Sequence, residues 1–179
     1  GAMHQDTLAR RFAVRFRNDP ERGYGRMTRD QMIEILAGKT WREAAASAFG
    51  GQGSMGNGSA MRVAPVGAYF TGDTQAAAQA AELSSMVTHT HPEGVAGAIA
   101  VAVAASAAWE LRAEAVRLRT GAFFNAVLRH TPPGRVRAGI EEAVRLAASS
   151  PHDAAKVLGN GTLVTAPDTV PFAIWCAAH

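Results

Sequence analysis

A chain of 179 residues, 47% apolar and 18% charged, has the length of one domain and a globular composition, which excludes disorder and a long coiled coil. Its 18 basic against 15 acidic residues leave a formal charge of +3, too small and too dispersed to imply nucleic acid. The single cysteine, Cys176, excludes a disulfide framework and a thiolate zinc site within the chain, and points to a reducing, cytoplasmic compartment.

The apolar spacing is helical almost throughout. Leu8, Phe12 and Phe16 stand four apart, with Asp6 or Thr7 as N-cap and Pro20 beyond the end. Thr28 and Gln31 read as a capping box ahead of Met32, Ile35 and Leu36, and Thr40 with Glu43 repeats it before a helix from Trp41 to about Phe49. Further helices are predicted from about Thr74 to Met86, from Glu93 or Gly94 to Arg119, and from Gly121 to Arg129. Two more follow, from Val136 to Ala148 and from Ser150-Pro151 to Leu158. Val136, Ile140, Val144 and Ala147 form the core stripe of the first of these. A last helix is capped by Asp168 or Thr169, with Pro171 in its first turn. Only Thr162 to Thr165 reads as a short extended piece.

The apolar run from Gly94 to Trp109 has 16 uncharged residues, short of the roughly 20 that span a bilayer. It reads as a helix packed inside the protein, with no membrane partner, where Gly97, Val101 and Ala105 admit a close neighbour. The expectation is an all-α fold, with residues 1–179 as a single domain.

Helix packing does not explain Gly50 to Ser59, where five of ten residues are glycine. Glycine at that density permits positive φ and close approach to another molecule. Backbone N–H groups in such a loop can converge on an anion, and the following helix adds its N-terminal dipole. Ser54, Asn57 and Ser59 add polar groups there. The alternative is a flexible connection. Gly51, Gly53 and Gly56 spell a dinucleotide-binding pattern, but the preceding segment is helical where that pattern requires a strand. Gly53 to Gly58 has phosphate-loop spacing, but Ser59-Ala60 stands where Lys-Ser/Thr belongs. Gln52 occupies the first glycine position of a hydrolase serine elbow.

Thr88-His89-Thr90-His91-Pro92-Glu93 is the second constellation. Its histidines could ligate a metal or donate hydrogen bonds to an anion, and Thr and His ahead of Pro92 could equally end one helix and cap the next. Asn160-Gly161-Thr162 is a third polar turn.

Taken together, Gly53-Ser54-Met55-Gly56-Asn57-Gly58-Ser59-Ala60-Met61-Arg62-Val63-Ala64-Pro65 resembles the signature of the ADP-ribosylglycohydrolase family. Thr88 to Glu93 with Gly97-Ala98 is similar to a second family segment. Leu158-Gly159-Asn160-Gly161 with Val170-Pro171-Phe172-Ala173 is similar to a third, and Arg22-Gly23-Tyr24-Gly25 is a supporting match. The resemblance implies an orthogonally packed multi-helix bundle with a cleft for ADP-ribose, free or on a protein, and in complete members a pair of magnesium ions. Gln52, Gly53, Ser54, Met55, Gly56, Asn57 and Gly58 would wrap the diphosphate and adjoining ribose. His89 would donate toward the phosphates, His91 would be a further ADP-ribose-binding residue, and Thr162 would sit near the adenosine end. Met55 replaces the tyrosine often found there.

Members hold their metals with a Thr-Asp-Asp cluster near the N-terminus and an Asp-x-Asp-Thr cluster on a late helix. The sequence contains neither, and Glu141-Glu142 reads as a solvated helix face. Hard magnesium takes carboxylate ligands, so the expectation is a central portion of the family domain, lacking N- and C-terminal parts, with no metal ligands and no catalytic residue of its own. Its parent reaction would be hydrolysis of the bond linking ADP-ribose to a protein side chain. The alternatives are a non-catalytic ADP-ribose or nucleotide-binding module and a purely structural helical domain. Abundant arginine over lysine, with much alanine, points to a GC-rich bacterial source.

Overall fold

The computed structural model describes residues 3–113 and 116–179; Gly1 and Ala2, and Glu114 and Ala115 within the predicted long helix, lie outside the described residues. Among the described residues the chain forms ten α-helices and no strand, as expected for an all-α fold. Helices α1 (Gln5–Asn18), α2 (Arg26–Leu36) and α3 (Trp41–Ala46) come first, followed by α4 (Gly58–Tyr69), α5 (Thr74–Met86) and α6 (Pro92–Glu110). Then come α7 (Val116–His130), α8 (Arg135–Arg145), α9 (Pro151–Leu158) and α10 (Ala166–Ala178).

Helix α6 is the axis of the main core, and α4, α5, α7, α8 and α10 lie against it. It is apolar on every side, as a helix must be when neighbours surround it. From Pro92 to Ala113 it is long and apolar enough to cross a membrane, but most of that surface is buried against the other helices. Small residues set the spacing. A Cβ on Gly97 would lie 2.8 Å from the Ala166 Cβ of α10, and one on Gly67 would lie 2.8 Å from the Ala102 carbonyl carbon.

Helices α4 and α6 run side by side in the same direction. The Ser59 hydroxyl donates to the Gly94 carbonyl at 3.0 Å near their starts, and the Ser106 hydroxyl donates to the Phe70 carbonyl at 3.0 Å near their ends. Helix α5 is the return connection. Both N-termini therefore open on the glycine loop, and the start of α10 joins them there: the Ala166 N–H donates to the Met55 carbonyl at 2.9 Å.

Several boundaries depart from the sequence reading. Helix α2 begins at Arg26 without a side-chain cap, so the Thr28–Gln31 box does not form; Gln31 turns inward and donates to the Thr88 carbonyl at 3.0 Å. Asp6 is no cap either, since its carboxylate accepts from the Trp41 indole at 2.6 Å. The Thr40–Glu43 box does form, but α3 stops at Ala46, where the Ser47 hydroxyl bonds back to the Ala44 carbonyl. The helix predicted to reach Arg119 ends at Glu110 instead, and the Arg112 guanidinium folds over Trp109 and bonds its carbonyl. On α8 the buried line is Val136, Ile140 and Ala143, while Val144 is 42% exposed. Steps of four drift off a 3.6-residue turn. Helix α10 starts after Thr165, because the tie between Ala166 and Met55 sets its first turn, and Pro171 lies inside it.

Candidate functional site

The glycine loop is a braced turn. Phe49, Gly50, Gly51 and Gly53 all take positive φ, from 53 to 91°. At Gly53 glycine is also demanded by space: a Cβ there would strike Thr90 Oγ1 and lie 2.6 Å from the His91 nitrogen. A Cβ on Gly94 would lie 2.6 Å from the Ser54 carbonyl oxygen, so the loop packs flat on the start of α6. On its other side Gly56 forms a single antiparallel bridge with Thr165. This is the only extended pairing in the segment predicted from Thr162 to Thr165. The Asn57 N–H donates to the Val164 carbonyl at 3.1 Å, and its side-chain amide donates to Thr169 Oγ1 at 2.9 Å.

These ties show which loop amides are already spent. Gln52 N donates to Phe49, Gly53 N to Ala48, Gly56 N to Ser54 Oγ and Asn57 N to Val164. The N–H groups of Ser54, Met55, Gly58, Ser59 and Ala60 find no acceptor among the described residues. The first turn of α4 has no acidic residue, and its N-cap, Asn57, makes no capping bond. By contrast, His91 and Glu93 stand at the start of α6, and Asp168 in the first turn of α10. Of the three helix starts meeting here, α4 is the one left open, with its dipole uncompensated.

His89 lies over one side of that opening. It is 5% exposed, and its ring lies so close that a Cβ on Gly58 would be 3.1 Å from Nε2 and one on Gly56 would be 3.3 Å from it. Nδ1 lies 2.7 Å from Thr88 Oγ1, which in turn accepts from the Arg62 guanidinium at 2.8 Å. Burial, and then the Arg62 charge, push the His89 pKa down to about 4. The ring is therefore neutral at physiological pH. Burial pushes Arg62 down to about 10, so it stays charged. It also donates to the Ser84 carbonyl at 2.8 Å and lies over the Phe12 ring.

The other expected residues fall into place unevenly. Ser54, Asn57 and Ser59, read as ligand groups, spend part of their polar capacity holding the loop to itself, α10 and α6. Gln52 is exposed on the rim. His91 caps α6, its Nδ1 accepting from the Glu93 N–H at 3.1 Å. Thr162 is exposed in a turn closed by Asn160, whose side-chain oxygen accepts from the Thr162 N–H at 3.1 Å. Tyr24, in the supporting match, packs edge-on against Phe16.

Sequence reasoning gave no role to Arg62, Thr88 or Val164. The signals available were the place of Arg62 within the motif Gly53 to Pro65, as a lone arginine in an otherwise apolar stretch, and the place of Thr88 beside His89. Val164 holds φ 56°, a strained conformation for a β-branched residue, while presenting its carbonyl to Asn57.

The residues present do not fit the magnesium that the resemblance implies. Glu93 spends both carboxylate oxygens on the Arg135 and Val136 N–H groups, at 2.6 and 2.9 Å, and Asp168 accepts from the Leu163 N–H at 2.9 Å. Among the described residues no three His, Cys, Asp or Glu side chains converge. A separate concavity, lined by Ala68, Thr71, Ala105, Ala108, Trp109 and Arg112, lies at the far ends of α4 and α6.

Comparison with known proteins bears out the family resemblance. The family model described as ADP-ribosylglycohydrolase matches residues 1–179. ADP-ribosylhydrolase ARH3 of Homo sapiens is 37% identical over 105 residues, covering 58% of this chain and 29% of that protein. The Gallus gallus protein of the same name is 37% identical over 99 residues, covering 54% of this chain and 27% of its own length. The chain thus matches less than a third of these relatives.

Proposed function

This chain belongs to the ADP-ribosylglycohydrolase family, and from that premise we propose that its glycine loop binds the diphosphate and adjoining ribose of ADP-ribose. The observation that carries this reading is the open start of α4. Gly58, Ser59 and Ala60 offer unclaimed N–H groups, Ser54 and Met55 add two more, and the neutral His89 ring sits directly over Gly56 and Gly58. A diphosphate supplies the negative charge and the acceptor oxygens that such a set lacks. Thr162, on the turn beside the bridge, would border the adenosine end. His91 would act through the α6 start that it caps.

The parent reaction would be cleavage of the glycosidic bond between ADP-ribose and a protein side chain. That chemistry needs an activated water beside the anomeric carbon, and no residue of this chain is assigned to hold one, because the nearby carboxylates are engaged by backbone N–H groups. The chain by itself therefore binds without efficient hydrolysis. The same observation favours a second reading, a non-catalytic ADP-ribose or nucleotide-binding module.

Calorimetric titration with ADP-ribose tests the site, with and without magnesium. We expect metal-independent binding that weakens about tenfold in Gly58→Ala, whose new methyl displaces the His89 ring while alanine suits the helix. Absence of binding by the parent chain would overturn the site. Efficient release of ADP-ribose from a modified protein, on adding magnesium, would overturn the incompleteness.

A further inference from the structure

The hydrogen bonds behind His89 decide which of its nitrogens carries the proton. Thr88 Oγ1 has one hydrogen to give and two lone pairs. The Arg62 guanidinium can only donate, and its Nη2 lies 2.8 Å from that oxygen, so it occupies a lone pair. The hydroxyl hydrogen then needs an acceptor, and the other hydrogen-bonding atom at this oxygen among the described residues is His89 Nδ1, at 2.7 Å. Nδ1 must therefore accept, which leaves the proton of the neutral ring on Nε2. The backbone cannot rotate away from this arrangement. The His89 N–H donates to the Ser85 carbonyl at 2.8 Å, and the Ser85 hydroxyl donates to the His89 carbonyl at 3.2 Å.

We propose that Arg62 and Thr88 are positioning residues that fix His89 in its Nε2–H tautomer, so that it presents a hydrogen-bond donor to an anionic, phosphate-like ligand in the Gly56–Gly58 loop. Arg62 supports this role by where it sits. Its side chain is half-buried against the Phe12 ring, its buried Nε has no partner, and no ion pair with a carboxylate occurs among the described residues. A buried cation held this way is costly unless its remaining bonds matter. Here two of them run to Ser84 and Thr88, the residues that frame the turn into His89. The guanidinium donates two bonds away from the ligand, and the ring relays that polarity to the loop. The ligand role rests on the diphosphate reading above; the tautomer does not.

The test separates the two. Nitrogen-15 NMR of the ring, on the full chain without ligand, should show a protonated Nε2 and an unprotonated Nδ1. Thr88→Val, which removes the hydroxyl but keeps the shape, should give a mixed or Nδ1–H ring, and Thr88→Ser should restore the parent spectrum. With ADP-ribose added, Thr88→Val should bind about tenfold more weakly and Thr88→Ser within about twofold of the parent. An Nδ1–H ring in the parent chain overturns the proposal whether or not ADP-ribose binds. So does a Thr88→Val protein that retains its dispersed backbone spectrum and the Nε2–H signature. If the tautomer is as expected and the parent chain ignores ADP-ribose, the relay stands and the diphosphate reading falls.

Discussion

His89 shows how one side chain can be read from both its partners and its burial. A ring whose pKa is about 4 in the folded chain, against the ordinary 6.5, binds fewer protons folded than unfolded between those values. Stability attributable to it is complete above about pH 6.5 and is lost as pH falls toward 4, by roughly 3 kcal/mol in all. Arg62 deepens the effect, since protonation would place a second positive charge beside a buried first. Urea midpoints measured from pH 7.5 to 4 should fall in the parent chain. In His89→Gln that part of the slope should be missing. An unchanged slope in the variant would assign the acid sensitivity to other groups. At this scale the sequence was only partly legible. The T-H-x-H-P pattern marked both histidines and offered capping and anion donation as roles, but the pattern itself did not say which histidine takes which. The difference depends on backbone direction at Thr90, which places Thr90 against Gly53.

Between elements, the carboxylate of Glu93 is the joint that the sequence concealed. It reaches from the first turn of α6 to two N–H groups at the start of α8, beside Gly134, which holds φ 152° and where a Cβ would lie 2.6 Å from Glu93 Oε1. Glu93→Gln keeps the shape, loses the charge and can accept at only one oxygen, so we expect a loss of about 1–2 kcal/mol in urea unfolding. A stability equal to the parent's would show that the joint is ornamental. Capping signals were legible where a side chain closes its own helix, as at Thr40 and Ser150. They misled where the same residue type answers to a partner outside its own helix. Asp6 serves the Trp41 indole, 35 positions on, and Asp168 serves the Leu163 N–H, five positions back in the preceding turn. The apolar periodicity located most of the helices but gave no bounds for α4, began α7 at Gly121 instead of Val116 and missed the break after Glu110.

At the scale of the molecule, the parallel course of α4 and α6 holds the open helix start under His89, and that course depends on how closely the two axes approach. Gly67 sits at their contact, where a Cβ would meet the Ala102 backbone. Gly67→Ala gains roughly 1 kcal/mol of helix propensity. It should nevertheless lose about 2–3 kcal/mol overall, because a backbone carbonyl cannot move aside as a side chain can. A raised urea midpoint would mean that the helices are farther apart than described. The all-α class was legible from spacing alone. The assembly of Gln52–Gly58, His89 and the Thr162 turn was not, because its ties join Met55, Gly56 and Asn57 to residues from Val164 to Thr169.

The bond from Asn57 to Thr169 crosses 112 positions of sequence, and with the Gly56–Thr165 bridge it sets a timetable for biosynthesis. A ribosome will have released the glycine-rich turn long before the chain that braces it leaves the exit tunnel. Until the stretch around Thr165 emerges, that turn has only one of its two walls. A nascent chain arrested short of this point also lacks α10, which completes the packing around α6 and α8, so on the reading proposed above it should not hold ADP-ribose until that helix has emerged.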